Sequence, residues 1–169
     1  MLPGSYFFHA SRAAAYEGLG DIDGALADLS EAIRLNADDV ESYNNRARLY
    51  VGKKDYDRAI ADLGQLIRFA PNSYYAYADR ALAYRDKGEP DLAIADFSAA
   101  IRLSPTYGDL YFQRGLAYRT KGDKERAVAD FKQAIELDPL GSKASRDELK
   151  TLVGEAEMPQ RKSVLEMIK

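Results

Sequence analysis

The feature that most constrains the fold of this chain is a repeat of 34 residues. The stretch RALAYRDKGE, which begins at Arg80, returns as RGLAYRTKGD at Arg114. The period holds four times without insertion or deletion, in residues 6–39, 40–73, 74–107 and 108–141. Because one unit of this size cannot bury its apolar face alone, the four units are expected to stack on one another.

Several positions keep the same kind of residue in every unit. Counted from 1 at the start of each unit, position 8 is alanine or glycine, position 11 tyrosine, position 20 alanine, and position 24 leucine or phenylalanine. Small residues at positions 8 and 20 let two helices approach closely, and the larger side chains fill the space beside that contact. Each unit is therefore predicted to form a pair of helices.

A short polar segment separates the two predicted helices of each unit. Gly20, Gly88 and Gly122 are suited to the left-handed conformation that ends a helix. Asp21, Asp55 and Asp123 directly precede the second helices of their units and are suited to cap them. The local sequence thus predicts an all-α chain of four helical hairpins.

This pattern resembles the tetratricopeptide repeat, with a small residue at position 8, tyrosine at 11, alanine at 20 and, in the last three units, proline at 32. The resemblance covers residues 6–141. Position 4, often tryptophan in the family, is His9 in the first repeat and tyrosine in the others, and Ala37 replaces the first proline. The resemblance implies an α–α superhelix, or solenoid, of four helix-turn-helix repeats.

Two segments follow the last repeat. Residues 142–154 are predicted to form a capping helix, with Ser145 and Glu148 in capping-box spacing and Gly154 at its end. We expect repeats and cap to form one domain, residues 1–154. Residues 155–169 are interpreted as a shorter amphipathic tail, which either folds onto the body or enters the groove of a second copy and forms a homodimer.

The bulk composition excludes several classes of partner. A net charge of −3 and a pI near 5.3 argue against binding to nucleic acid or to an anionic membrane. The sequence contains no cysteine and no apolar run of the ~20 residues that span a membrane. The first residues do not form a signal-peptide pattern. We expect a cytoplasmic protein that binds neither nucleic acid nor membrane.

The sequence offers no recognisable catalytic or metal site. His9 is the only histidine, and it has no cysteine with which to form a thiol dyad or a metal centre. The stretch GLGDIDG joins two predicted helices, so it does not qualify as a phosphate loop, which follows a strand. We therefore predict a protein that is not an enzyme and that has no cofactor and no metal.

Every repeat carries an arginine at position 7 and an aspartate at position 23. These residues are Arg12, Arg46, Arg80 and Arg114, and Asp28, Asp62, Asp96 and Asp130. A ladder of arginines for an acidic ligand is one interpretation, but the regular match favours an ion pair between the two helices of each unit. The tyrosines at positions 4 and 11 are likewise interpreted as packing residues.

The resemblance also implies a binding surface. In the family, positions 2, 5, 6, 9, 12 and 13 of the first helices line a concave groove that holds an extended peptide or a partner helix. The strongest candidates here are Asn44, Asn45, Arg48, Tyr75, Asp79, Leu82, Arg85, Phe112, Gln113, Leu116 and Arg119. Amides can bond a peptide backbone, arginines can hold carboxylates, and apolar side chains can form pockets. We expect a peptide with acidic and apolar positions; the alternative is an ordinary solvated surface.

One subtype of the family binds the carboxylate-terminated tail of chaperones through a clamp of lysine, asparagine and arginine side chains. At the matching positions, repeats 1 to 3 have Ala10, Ala14, Asn45, Tyr75 and Asp79, and repeats 2 to 4 have Asn44, Arg48, Asp79, Asp109 and Gln113. Neither set places the cations where the clamp needs them, so no binding of that tail is expected. The predicted function is a non-catalytic scaffold for protein interaction. The alternatives are a self-assembling structural scaffold and a targeting domain of a larger enzyme.

Overall fold

The computed structural model describes residues 5–154, and this part of the chain contains nine α-helices and no strand. The helices are α1 (Ser5–Gly18), α2 (Ile22–Leu35), α3 (Val40–Gly52), α4 (Tyr56–Phe69), α5 (Tyr74–Lys87), α6 (Pro90–Leu103), α7 (Gly108–Lys121), α8 (Lys124–Leu137) and α9 (Lys143–Val153). Each repeat supplies two consecutive helices, and α9 follows the fourth repeat. The predicted all-α class is confirmed.

The chain divides into two compact units, Met1–Lys87 and Gly88–Lys169. The described part of unit 1 contains α1 to α5, and that of unit 2 contains α6 to α9. Within each unit, every helix packs against the next one along the chain. The boundary falls between the two helices of the third repeat, because α5 ends at Lys87. The single repeat domain over residues 1–154 stays a prediction.

The small residues of the repeat lie where helices meet. In unit 2, a β-carbon added to Gly115 of α7 would lie 2.6 Å from Cε1 of Phe131 in α8, which is closer than two carbon atoms approach. Ala127, also in α8, is completely buried beside Phe131. In unit 1, Ala13 and Ala25 occupy the same two positions and are buried together. The predicted reason for the small residues, close helix contact, is confirmed.

The turns between paired helices follow the predicted chemistry, with one exception. Gly20, Gly88 and Gly122 have φ angles of 78°, 88° and 85°, in the left-handed region. In the second repeat the same position is Lys54, which adopts φ of 59° although it carries a β-carbon. A left-handed conformation costs a residue other than glycine about 1 to 2 kcal/mol, so this turn is strained.

Aspartates cap α2, α4 and α8 as predicted, whereas α6 begins after Glu89, whose side chain makes no capping hydrogen bond. The carboxylate of Asp21 accepts a hydrogen bond from the backbone N–H of Gly24 at 2.9 Å. Asp123 accepts one from the N–H of Arg126 at 3.2 Å. These bonds satisfy N–H groups that a helix start leaves without a helical partner.

The capping box predicted at Ser145 and Glu148 is wrong. Helix α9 begins at Lys143 with Ser142 at its N-cap, so Ser145 lies inside the helix and is buried, and no capping box forms. The preceding turn sets the earlier start, because the Asp138 carboxylate accepts a hydrogen bond from the N–H of Gly141. The predicted end at Gly154 is confirmed. The amphipathic tail predicted for residues 155–169 lies outside the described residues.

Candidate peptide-binding groove

In unit 1, α3 and α5 enclose two adjoining cavities. The first has a volume of about 280 Å³ and the second about 360 Å³. Asn44 of α3 and Asp79 of α5 line both cavities. The first is also lined by Arg48, Val51, Leu82 and Asp86, and the second by Val40, Glu41 and Tyr75. We call this surface of α3 and α5 the unit 1 groove.

Two polar side chains of the unit 1 groove have no hydrogen-bond or ion-pair partner among the described residues. Neither the amide of Asn44 nor the carboxylate of Asp79 makes a hydrogen bond or ion pair with any residue between 5 and 154. Asp79 keeps contact with water, but the surrounding protein removes part of its hydration and thereby raises the pKa of its carboxyl. Both groups are therefore available to a ligand.

The arginines predicted to hold a ligand carboxylate already pair with carboxylates of the chain. Arg48 donates two hydrogen bonds of 2.6 Å to Glu17 of α1, and this contact lowers the pKa of Glu17. Arg85 donates to its neighbour Asp86 at 2.8 Å. In unit 2, Arg119 pairs with Glu148 of α9. None of these three cations presents a bare charge to solvent.

Asn45 lies away from the two cavities of the unit 1 groove. It lines a third cavity of about 240 Å³ between α1 and α3, together with Ala10, Ala14 and Glu17. Arg48 also borders this cavity. The structure thus places Asn44 and Asn45, adjacent in sequence, on different cavities of unit 1.

The candidates from the fourth repeat belong to unit 2, where α9 covers part of their surface. Phe112 and Leu116 pack into the cluster that contains Phe131, Leu149 and Leu152, and the rings of Phe112 and Phe131 are 5.9 Å apart. The amide of Gln113 donates a hydrogen bond of 3.4 Å to Asp109. The predicted site residues therefore fall into two sets, one in each unit.

Comparison with protein families identifies the repeat. Three family models, each described as a tetratricopeptide repeat, match residues 11–76, 46–111 and 108–139, and together they span most of the chain. The chain belongs to the tetratricopeptide-repeat family. A comparison with curated proteins found no match.

Solved structures of tetratricopeptide-repeat proteins are similar to this chain. A crystal structure of MamA is 23% identical, covers 83% of this chain and 81% of its own, and has a TM-score of 0.77. Residues 41 to the end of MamA from Desulfovibrio magneticus RS-1 are 21% identical, with 90% and 91% covered and a TM-score of 0.74. The first such repeat domain of Spaghetti (RPAP3), bound to the HSP90 peptide SRMEEVD, is 24% identical, with 67% and 89% covered and a TM-score of 0.63. The likeness confirms the predicted solenoid fold.

Each tetratricopeptide repeat whose two helices lie in one unit contains the predicted ion pair between positions 7 and 23. Arg46 binds both carboxylate oxygens of Asp62 at 2.7 and 2.8 Å, and Arg114 binds Asp130 at 2.8 Å. Tyrosines at positions 4 and 11 flank each guanidinium, with ring centroids 5.7 to 6.0 Å from its carbon. The structural interpretation of both residue types is confirmed here. Arg80 and Asp96 lie in different units, and their pair stays a prediction.

The first repeat has a variant of this pair. Arg12 binds Asp28 at 2.6 Å, and His9, in place of the tyrosine at position 4, lies 2.9 Å from the same carboxylate through Nδ1. The hydrogen bond from Arg12 lowers the pKa of Asp28 to about 2, and the bond from His9 acts in the same direction. The lone histidine therefore has a structural partner.

Two kinds of contact that recur between neighbouring repeats were not predicted from the sequence. Arg46 and Arg114 each donate a third hydrogen bond, of 3.0 Å, to a serine of the preceding repeat, Ser30 or Ser98. The lysine at position 14 pairs with the aspartate at position 18 of the preceding repeat, in Lys53–Asp23, Lys87–Asp57 and Lys121–Asp91 at 2.5 to 2.7 Å. A comparison of positions between neighbouring repeats would have found both.

Within residues 5–154, no helix combines the length and apolar character needed to cross a membrane. The same part of the chain brings together no group of three metal-ligating side chains.

Proposed function

We propose that this chain is a non-catalytic protein-interaction module whose unit 1 groove binds an extended peptide segment of a partner protein. The observation that carries the proposal is the pair of adjoining cavities between α3 and α5. Exposed apolar side chains, Val51 and Tyr75, lie beside the unpartnered amide of Asn44. Such a surface can take apolar side chains and bond a peptide backbone at once.

A relative supports the class of ligand but not its sequence. The repeat domain of RPAP3 is bound to the HSP90 peptide SRMEEVD, in which three of the last four residues are acidic. In this chain, Tyr75 and Asp79 stand where the resemblance places the basic residues of the chaperone-tail clamp. An acidic ligand residue can pair with Arg48 only if it displaces Glu17. An exposed ion pair of this kind contributes only ~0 to 1 kcal/mol to stability, so its replacement brings the ligand little gain. We therefore propose a partner other than that chaperone tail.

Selection of peptides on the full-length chain, followed by binding measurements on groove variants, tests this function. Val51→Gln places a neutral polar amide in the apolar wall of the first cavity and should weaken the selected peptides about tenfold. Leu19→Gln makes the same type of change at an exposed residue between α1 and α2 that lines neither cavity, and it should leave binding unchanged. Equal affinities of the wild-type chain and both variants would place the binding site elsewhere.

Self-assembly is the second candidate function, and one observation favours it. Phe7 and Phe8 of α1 are each 60% exposed, so the first helix presents an aromatic surface to solvent. If this surface joins copies of the chain, sedimentation should show a mass that rises with concentration and falls to that of a monomer in Phe7→Ser/Phe8→Ser. A constant monomer mass would exclude this candidate. A role as a targeting domain of a larger enzyme is the remaining alternative.

A further inference from the structure

The charges along the unit 1 groove are not balanced. Arg48 and Arg85 each pair with a carboxylate of the chain. Asp79, which lines both cavities, has no hydrogen-bond or ion-pair partner among residues 5–154. The charge left for a ligand to neutralise is therefore negative, and it lies at the junction of the two cavities.

Aromatic and aliphatic surface flanks this carboxylate along α5. Tyr75 lies four residues before Asp79 and Leu82 three residues after it, so the three side chains share one face of the helix. Tyr75 is 62% exposed, and its ring contacts that of Tyr74 in a tilted arrangement, with ring centroids 3.9 Å apart. A lysine or arginine matches this surface, because its apolar stem can cover the tyrosine while its cationic head reaches the carboxylate.

The facing helix α3 adds to the same preference. Glu41 lines the second cavity together with Asp79, and a second carboxylate there favours a cation further. Asn44 borders both cavities and can hold the backbone of an extended peptide through its amide. Val51 and Leu82 leave the first cavity with apolar walls, which suit an apolar side chain next to the cation.

Building on the proposed peptide-binding function, we infer that the unit 1 groove selects a peptide segment whose lysine or arginine contacts Asp79, with apolar residues in the adjoining cavities. This ligand differs from the acidic peptide that the sequence alone predicted. The raised pKa of Asp79 fits a cationic ligand, because a bound cation restores the stabilisation that the carboxylate loses with its water.

An array of short peptides, probed with the full-length chain, tests the inference. Each peptide carries one residue type at its central position, between flanking residues that are randomised in the same way throughout. The wild-type chain should retain peptides with central lysine or arginine about tenfold more strongly than those with glutamate. Asp79→Asn should abolish this preference, and Asp79→Lys should reverse it. Asp147→Asn removes an equal charge at an exposed position of α9 in unit 2 and should preserve the preference.

The outcomes separate this inference from the proposed function. If the wild-type chain prefers acidic peptides, or if Asp79→Asn keeps the basic preference, the inference is wrong while peptide binding stands. If no peptide is retained, the proposed function fails as well. A peptide that copies residues 158–169, in which Arg161 and Lys162 precede four apolar residues interrupted by Glu166, belongs on the same array. Binding of this peptide that requires Asp79 would support the inference and identify the chain itself as a source of ligand; binding that ignores Asp79 would count against it.

Discussion

The two units place equivalent positions of the repeat in different surroundings. In unit 1, the concave positions of α3 and α5 line open cavities, and Asn44 and Asp79 have no partner within the described chain. In unit 2, Phe112 and Leu116 of α7 pack in one cluster with residues of α9, and Arg119 pairs with Glu148. The same kind of position thus lines two larger cavities in unit 1, whereas in unit 2 it packs with α9 beside a smaller cavity of about 160 Å³ that Phe112 also lines.

This difference shows that the position of a residue within a repeat does not by itself decide its role. The helix that follows the repeat decides whether a concave side chain of that repeat stays open or becomes covered. In unit 2 that helix is α9, whose Leu149 and Leu152 supply the apolar contacts. The unit 1 groove is consequently the better candidate for a ligand, and the following changes test how far the two units differ.

The largest effect is expected from the cluster that α9 completes. Leu149 is completely buried, so Leu149→Ala should lower the free energy of unfolding by roughly 2 to 5 kcal/mol through lost contacts and a cavity. Leu82→Ala in the unit 1 groove removes a half-buried side chain and should cost only about 1 kcal/mol. Urea denaturation followed by circular dichroism measures both. Equal losses would mean that Leu82 is as well packed as Leu149, which would break the contrast between the units.

The helices and turns were predictable because their signals are local. A glycine three or four residues beyond the last packing residue, followed by a capping aspartate, is sufficient to end one helix and start the next, as Gly122 and Asp123 show. The Arg46–Asp62 pair was also predictable, since both residues recur in every repeat. Regular recurrence turns a contact between two helices into a pattern that can be read from the sequence.

The state of the groove arginines was not predicted, because it depends on side chains in other repeats. Arg48 is neutralised by Glu17, 31 residues earlier, and this partner occurs once and does not recur with the period. Arg119 is neutralised by Glu148 of α9, where the repeat pattern has ended. A comparison of position 12 in one repeat with position 9 in the next would have indicated the Arg48–Glu17 pair. Nothing periodic could have indicated the second.

The second largest effect concerns the buried ion pairs, which the two units share. Arg46 and Arg114 are 18% and 19% exposed in their pairs with Asp62 and Asp130. Double-mutant cycles with alanine should give coupling energies of about 2 kcal/mol in both units. The pair of Arg12, which is 45% exposed and whose aspartate also contacts His9, should couple less than half as strongly. A weak coupling between Arg46 and Asp62 would mean that the stability of unit 1 does not depend on this ion pair.

A smaller effect should appear at the turn in which the units differ. Lys54→Gly relieves the left-handed conformation in unit 1 and should raise the free energy of unfolding by about 0.5 to 1 kcal/mol. Gly122→Ala introduces the same strain into unit 2 and should lower it by about 1 kcal/mol. Lys54→Ala removes the charge but keeps the strain, and it serves as the control. If Lys54→Ala stabilised the chain as much as Lys54→Gly, charge rather than backbone conformation would explain the gain.

The smallest effect should come from the lysines at position 14, whose contacts are alike in both units. The exposed fractions are 42% for Lys53 and 82% for Asp23, and the Lys121–Asp91 pair of unit 2 is similarly open to water. In such pairs the entropy lost by a long side chain offsets most of the attraction, and salt screens the rest. Lys53→Ala and Lys121→Ala should therefore each change the Tm by no more than about 1 to 2 °C. A larger loss at one lysine than at the other would show that the units differ along this edge as well as in the groove. Equal and small losses, removed by added salt, would confine the difference between the units to their concave surfaces. On that surface of unit 1, Asn44 and Asp79 have no partner among residues 5–154, whereas in unit 2 Phe112 and Leu116 pack with α9.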